Sequence, residues 1–230
     1  MKIAGLQKTT LLDYPGKVAC TIFTPGCDFR CPYCHNASLV THIDESQIIP
    51  EEKVLAFLKK RIGILDGVCI TGGEPMLQPD LEEFLSKVKA LGYSIKLDTN
   101  GSNPEFLWHM IQMGYVDYVA MDVKQCLEKY AQTIGRTSFP VEHICDSINC
   151  LLEGRIPYEF RTTVVEELHD IEDFALIGEF CQGAQNYYLQ RFEDSGDLIS
   201  SDLTAPSMEK MLQILQVIQT YIPSAKIRGN

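Results

Sequence analysis

Gly67-Val68-Cys69-Ile70-Thr71-Gly72-Gly73-Glu74-Pro75, followed by Leu81, Phe84, Leu85 and Val88, reads as one complete structural unit. Val68, Ile70 and Thr71 favour a pleated strand, and the paired glycines open a turn. The spacing 81, 84, 85, 88 lines four apolar side chains along one face of a helix begun after Pro79. Outward from this unit the pattern recurs in both directions. Strands are expected at Val18 to Phe23, Gly67 to Thr71, Tyr93 to Asp98, Asp117 to Val123, Tyr158 to Val165 and Asn186 to Phe192. Helical periodicity follows Pro50 (Val54, Leu55, Leu58, Ile62), Asn103-Pro104 (Leu107, Met110, Ile111) and Pro206 (Met208, Met211, Leu212, Leu215). It also runs through Ile144, Ile148, Leu151 and Leu152, and through Phe174, Ile177 and Cys181.

Strands alternating with helices call for parallel pairing through right-handed crossovers. A closed eight-unit barrel needs ~250 residues, whereas six βα units are written into 230. The expected class is therefore α/β, a partial open (βα)6 barrel, with a flavodoxin-like open sheet as the alternative. Residues 1–230 are read as one domain. In either architecture the chemistry belongs at the carboxyl ends of the strands, where the loops converge.

The composition narrows the class of function. Thirty-one acidic against 20 basic residues give a formal charge of -11, the wrong sign for a protein that binds by neutralising phosphates, so no nucleic-acid partner is expected. No stretch approaches ~18 uninterrupted apolar residues, and the first residues lack an apolar signal core, so neither membrane nor export is expected. Nine cysteines, three of them within eight residues, make a poor disulfide framework and fit a reducing cytoplasm. Cys20, Cys69, Cys145, Cys150 and Cys181 fall in apolar strands or helices, where free cysteine behaves as a small buried hydrophobe.

The three clustered cysteines lie on the loop after the first expected strand, residues 26–36: Gly26-Cys27-Asp28-Phe29-Arg30-Cys31-Pro32-Tyr33-Cys34-His35-Asn36. Three thiolates on one tight loop suit a metal. A structural zinc wants four protein ligands, and the fourth near this loop, His35, adjoins Cys34 and is badly placed to close a tetrahedron with it. A 4Fe-4S cluster held by three thiolates leaves one iron open to a substrate.

Other strand ends carry their own signals: Gly72-Gly73-Glu74-Pro75, Asp98-Thr99-Asn100-Gly101 and Met121-Asp122-Val123-Lys124. Each has a structural reading, as a glycine turn, an Asx turn or a helix cap. Arg161 and Arg191 lie on the last two expected strands, where an internal guanidinium needs an anionic partner, either a ligand or an Asp or Glu.

The C-x3-C-x-aromatic-C spacing of Cys27, Cys31, Tyr33 and Cys34 resembles the signature of the radical S-adenosylmethionine (SAM) superfamily. The Cys34-His35-Asn36 ending is similar to that of its glycyl-radical enzyme activating branch. The opening Gly5 to Thr10 with Asp13 to Lys17, the Gly72 to Pro75 turn and Phe160 to Thr163 extend the likeness to the activating proteins of anaerobic ribonucleoside-triphosphate reductase. The resemblance implies a 4Fe-4S cluster on Cys27, Cys31 and Cys34, with SAM chelated to its open iron. It implies a SAM shell of Tyr33, His35, Gly72, Gly73, Glu74, Asp98, Asn100, Asp122, Lys124 and Arg161, and a monovalent cation near Asp98 and Asp122. Tyr33 would border the adenine or serve as an ordinary packed ring; His35 is open between a contact and a structural histidine.

The implied chemistry is reductive cleavage of SAM, with no acid or base residue, followed by hydrogen abstraction from a backbone glycine of a partner. That partner would be the anaerobic reductase, and the electron donor a flavodoxin or ferredoxin. Gln125-Cys126 after Lys124 departs from the expected Ala-Pro and is similar instead to pyruvate formate-lyase activating enzyme. That enzyme's function is one alternative, and a small-molecule enzyme such as a deazaguanine synthase is another.

Overall fold

The computed structural model describes residues 1–229. Eight strands join in one sheet in strictly sequential order: β1 (Gly5–Thr10), β2 (Ala19–Thr24), β3 (Gly67–Gly72), β4 (Ser94–Thr99), β5 (Tyr118–Asp122), β6 (Tyr158–Val164), β7 (Tyr187–Arg191) and β8 (Lys226–Arg228). A flavodoxin-like sheet reverses its strand order at a switch point, and this one does not. Sequential parallel strands with crossovers of one hand carry their helices on a single face, the topology of a barrel wall. The order leaves β1 and β8 as edges, so the sheet is unclosed.

All six expected strands are present within a residue or two of their expected ends. Two strands are additional. β1 pairs antiparallel with β2, Gly5 opposite Phe23 and Leu6 opposite Ile22, and β8 adds parallel to β7, Leu189 opposite Ile227.

The chain divides into two compact units. The first holds Met1–Asp28, Ser38–Thr99 and Glu105–Val119. Within it β2 and β3 run parallel from Ala19 opposite Gly67 to Thr24 opposite Gly72, so the cysteine loop and the Gly72-Gly73 turn leave the sheet side by side. The helix Glu51–Lys60 follows Pro50, with Glu51 and Glu52 in its first turn and Lys59 and Lys60 in its last, matching the helix dipole at both ends. The helix Leu81–Ala90 buries Leu81, Phe84, Leu85 and Val88 completely, each worth ~1.5–3 kcal/mol of transfer free energy. At the amino ends of the strands Tyr14, 2% exposed, fills the space a side chain at Gly67 would need and meets the Tyr118 ring at 5.9 Å. Tyr14 thus packs at the end of β3 opposite the Gly72-Gly73 turn.

The second unit holds Phe29–Ala37, Asn100–Pro104 and Ala120–Asn230. Here β6, β7 and β8 pair in parallel, and the helix Glu142–Leu152 buries Ile144, Ile148 and Leu151 as its periodicity predicts. The helix Leu127–Thr133 has no periodic signal in the sequence; only Tyr130 and Thr133 of its residues are buried, too few to give an apolar stripe.

Candidate active site

In the first unit the sequence motif at residues 72–75 has a packing explanation. Gly72 adopts φ +119°, a conformation that favours glycine, and a Cβ on it would lie 2.5 Å from the Thr24 carbonyl oxygen. A Cβ on Gly73 would overlap the Gly26 carbonyl oxygen and lie 2.6 Å from its carbon. The two loops are laced together: Gly73 N–H donates to Thr24 (2.8 Å) and Glu74 N–H to Gly26 (2.7 Å). Both N–H groups are thus engaged within the chain, where they hold the start of the cysteine loop. Glu74 is 1% exposed; its Oε1 caps the following turn through Met76 N–H (3.1 Å) and accepts from Thr99 Oγ1 (2.9 Å). Cys27, half-buried, begins the cysteine loop in this unit, with its Sγ 3.8 Å from Asp28 Oδ1.

One residue of this unit escaped the sequence reading. Lys96, 2% exposed, pairs with Oδ1 of Asp98 and approaches Cys69 Sγ at 3.9 Å. The available signal was its place two residues before Asp98, on the same strand face, with Ile95 and Leu97 on the other.

In the second unit the rest of the cysteine loop is pinned by its backbone. Arg30 N–H donates to Ile134 (2.8 Å), Ser200 N–H to Pro32 (2.9 Å), and Cys34 N–H closes a turn on Cys31 (3.0 Å). Phe29 anchors it edge-on to the Phe139 ring at 5.1 Å. Cys31 is buried and Cys34 half-buried. Burial pushes the Cys31 thiol up to about 11, with the Lys124 ammonium pulling it down.

At the end of β5, Asp122 receives Lys124 Nζ on Oδ2 (3.0 Å) and Arg161 Nε on Oδ1 (2.9 Å). Burial works to raise its carboxyl, but Arg161 and then Lys124 outweigh it and hold the group well below the usual carboxylate range. One partner of Arg161 is thus a carboxylate of this chain. Arg191 Nε donates to the Pro206 carbonyl (2.7 Å). Asn100 accepts from Ser102 N–H (2.9 Å) as an Asx turn, and exposed His35 stacks on Phe192 at 5.6 Å.

His169 had no signal in the sequence. It is 1% exposed; Val165 N–H donates to its Nδ1 (3.1 Å), which makes Nε2 the protonated nitrogen and the donor to the Lys124 carbonyl (2.9 Å). Its ring also stands edge-on to Tyr33 at 6.5 Å.

Two observations bear on a bound group. Among the described residues no three His, Cys, Asp or Glu side chains are already gathered about one point for a metal ion, so the fit rests on the donors themselves, three thiols set on one short loop. The Tyr33 hydroxyl is buried and has no hydrogen-bond partner among the described residues, a cost of ~1–3 kcal/mol that a ligand would relieve. Three thiols on one loop suit a thiolate-held cluster, and the Tyr33 hydroxyl suits a polar ligand. The family model of the radical SAM superfamily matches residues 21–177. The chain belongs to the radical SAM superfamily.

Membership brings an iron-sulfur cluster and SAM as the cofactors of this enzyme. A protein of Methanocaldococcus jannaschii, provisionally named a glycyl-radical enzyme activating enzyme, is 30% identical over 98% of this chain and 95% of its own length. The pyruvate formate-lyase-activating enzyme of Staphylococcus epidermidis is 28% identical over 82% of this chain and 78% of its own. Among solved structures, a domain of pyruvate-formate lyase-activating enzyme from Bacteroides vulgatus matches with a TM-score of 0.58 and 25% identity, over 71% of this chain and 99% of that one. No helix among the described residues is long and apolar enough to cross a membrane.

Proposed function

We propose that this radical SAM enzyme is an activase that makes a glycyl radical on a partner enzyme, the anaerobic ribonucleoside-triphosphate reductase. The observation that carries the activase reading is similarity to a glycyl-radical activating relative along 98% of the chain, beyond the cysteine loop alone. Cys27, Cys31 and Cys34 are the residues that would hold the cluster. Glu74, Asp98, Asn100, Asp122, Lys124 and Arg161, with Gly72, Gly73, Tyr33 and His35, are the residues that would border SAM. Held by these residues, a cluster and SAM would supply the radical chemistry that takes a hydrogen atom from a glycine Cα.

The chain's own residues position. Gly72 and Gly73 keep the cysteine loop against the β3 turn. Glu74, fixed by Thr99 and Met76, presents a buried carboxylate suited to an ammonium. Asp122 with two cationic partners carries a net positive charge suited to a carboxylate. A flavodoxin or ferredoxin would supply the electron.

Pyruvate formate-lyase is the second reading, favoured by the relatives of that name and by Gln125 after Lys124. Anaerobic mixing of the reduced protein and SAM with each purified candidate decides between them. A stable glycyl-radical doublet in electron paramagnetic resonance should form on the reductase, and be absent when its acceptor glycine is replaced by Ala. A doublet on pyruvate formate-lyase alone would overturn the partner, and SAM cleavage driven by a metabolite with no protein partner would overturn the activase reading.

A further inference from the structure

The likeness to activating enzymes implies a monovalent cation beside Asp98 and Asp122, and the residues present do not fit one. Strand β4 alternates, placing Ser94, Lys96 and Asp98 on one face while Ile95 and Leu97, both fully buried, take the other. Register sets Lys96 beside Cys69 of β3, whose thiol lies 3.9 Å from Lys96 Nζ and 3.7 Å from Asp98 Oδ1. A lysine ammonium 2% exposed is tolerated only with an opposite charge in contact, and Oδ1 of Asp98 is that contact. A cation ligated by Asp98 would share its carboxylate with an ammonium already bound to it, against like-charge repulsion in a site with little water. Asp122 carries a cation on each of its oxygens, Arg161 Nε at 2.9 Å and Lys124 Nζ at 3.0 Å. A third positive charge has nothing to gain there.

We infer that Lys96 is a built-in counter-ion which takes the place of the monovalent cation at Asp98, so that this chain binds SAM without a monovalent-cation requirement. The inference rests on the reading of Asp98 as part of the SAM surroundings. Lys96 acts through Asp98, as a positioning residue; it neutralises the carboxylate and fixes its orientation with a charge that is always present and always in register. A side chain held by the β4 backbone replaces an ion that would otherwise have to be captured from solution.

The test compares potassium, sodium, lithium and choline chlorides at equal ionic strength, using anaerobically reconstituted protein. Two quantities are read: the thermal unfolding midpoint and SAM affinity by equilibrium dialysis. Wild type should give the same midpoint and the same affinity in all four salts. Lys96→Met should bind SAM about tenfold or more weakly in choline, and sodium or potassium should restore most of that loss and raise its midpoint. Lys96→Arg, which keeps the charge, should stay insensitive to the choice of salt. A purely structural lysine would lower the Lys96→Met midpoint equally in every salt, which would overturn the inference. So would a wild-type midpoint or SAM affinity that depends on potassium or sodium. Failure of the wild type to bind SAM in any salt would instead sink the SAM-shell reading, while the midpoints would still decide the role of Lys96.

Discussion

Replacing Gly73 by Ala isolates the lacing of the β2 and β3 loops. The added Cβ overlaps the Gly26 carbonyl oxygen and sits 2.6 Å from its carbon, so the backbones have to separate by on the order of 1 Å to restore ordinary contact. The hydrogen bonds that cross this gap, Gly73 to Thr24 at 2.8 Å and Glu74 to Gly26 at 2.7 Å, then stretch past useful length. Losing two such bonds costs ~1–3 kcal/mol, and the overpacking strain adds ~1–3 kcal/mol. At roughly 2–4 °C per kcal/mol for a chain of this size, the midpoint should fall by about 5–20 °C. Gly92→Ala is the control: its φ of +88° is unfavourable for Ala but nothing lies within 4 Å of the new Cβ, so only the conformational cost of ~1–2 kcal/mol applies. Thermal unfolding by circular dichroism gives both numbers, and iron and sulfide content after reconstitution tests the consequence for the cysteine loop. If Gly73→Ala is no less stable than Gly92→Ala and reconstitutes fully, the close approach of the two loops is not what the glycines provide.

Three further outcomes follow from named groups. Burial lowers the pKa of His169, so the folded state binds fewer protons than the unfolded chain below about pH 6.5. Its contribution to stability is present above that pH and declines as pH falls toward the lowered value, with a slope of at most about 1.4 kcal/mol per pH unit; His169→Gln should flatten urea-derived stability between pH 5 and 7, and an unchanged slope would exonerate the residue. Asp122→Asn leaves Arg161 and Lys124 facing an uncharged amide and should cost roughly 2–4 kcal/mol in urea unfolding. Adding Arg161→Met should recover part of that loss, whereas strictly additive losses would show that the pair is uncoupled. Tyr33→Phe removes a hydroxyl that has no partner among the described residues, so cluster-free stability should stay within about 0.5 kcal/mol of wild type or rise; a loss above 1 kcal/mol would mean that the hydroxyl is bonded within the protein.

What the sequence made legible follows the range of the interactions involved. Strands β2 to β7 and the helices at 51, 81, 104, 142, 173 and 208 were readable because their periodicities are local, and full burial of Leu81, Phe84, Leu85 and Val88 is that pattern realised. Strand β1 was not, since Gly5–Thr10 is an edge with three consecutive exposed residues and takes its conformation from the β2 ladder. Strand β8 has three residues, none buried. The motif loops were found because their chemistry is written in adjacent residues, whereas the groups that orient them come from elsewhere: Arg161 reaches Asp122 across 39 positions, and His169 reaches Lys124 across 45.

Lys96 belongs to a third kind, local yet overlooked. Inspection of strand ends finds Asp98, but side chains recur on the same face every second residue, so the position two back faces the same way. A charged residue between two fully buried ones, as Lys96 between Ile95 and Leu97, has no place among the apolar side chains packed under the helices. It has to take the other face, and there it needs a counter-ion, which Asp98 supplies. The strand-end rule therefore extends inward by one repeat: the carboxylate at the mouth and the cation beneath it are one unit, and the ionic character of the mouth is set by both.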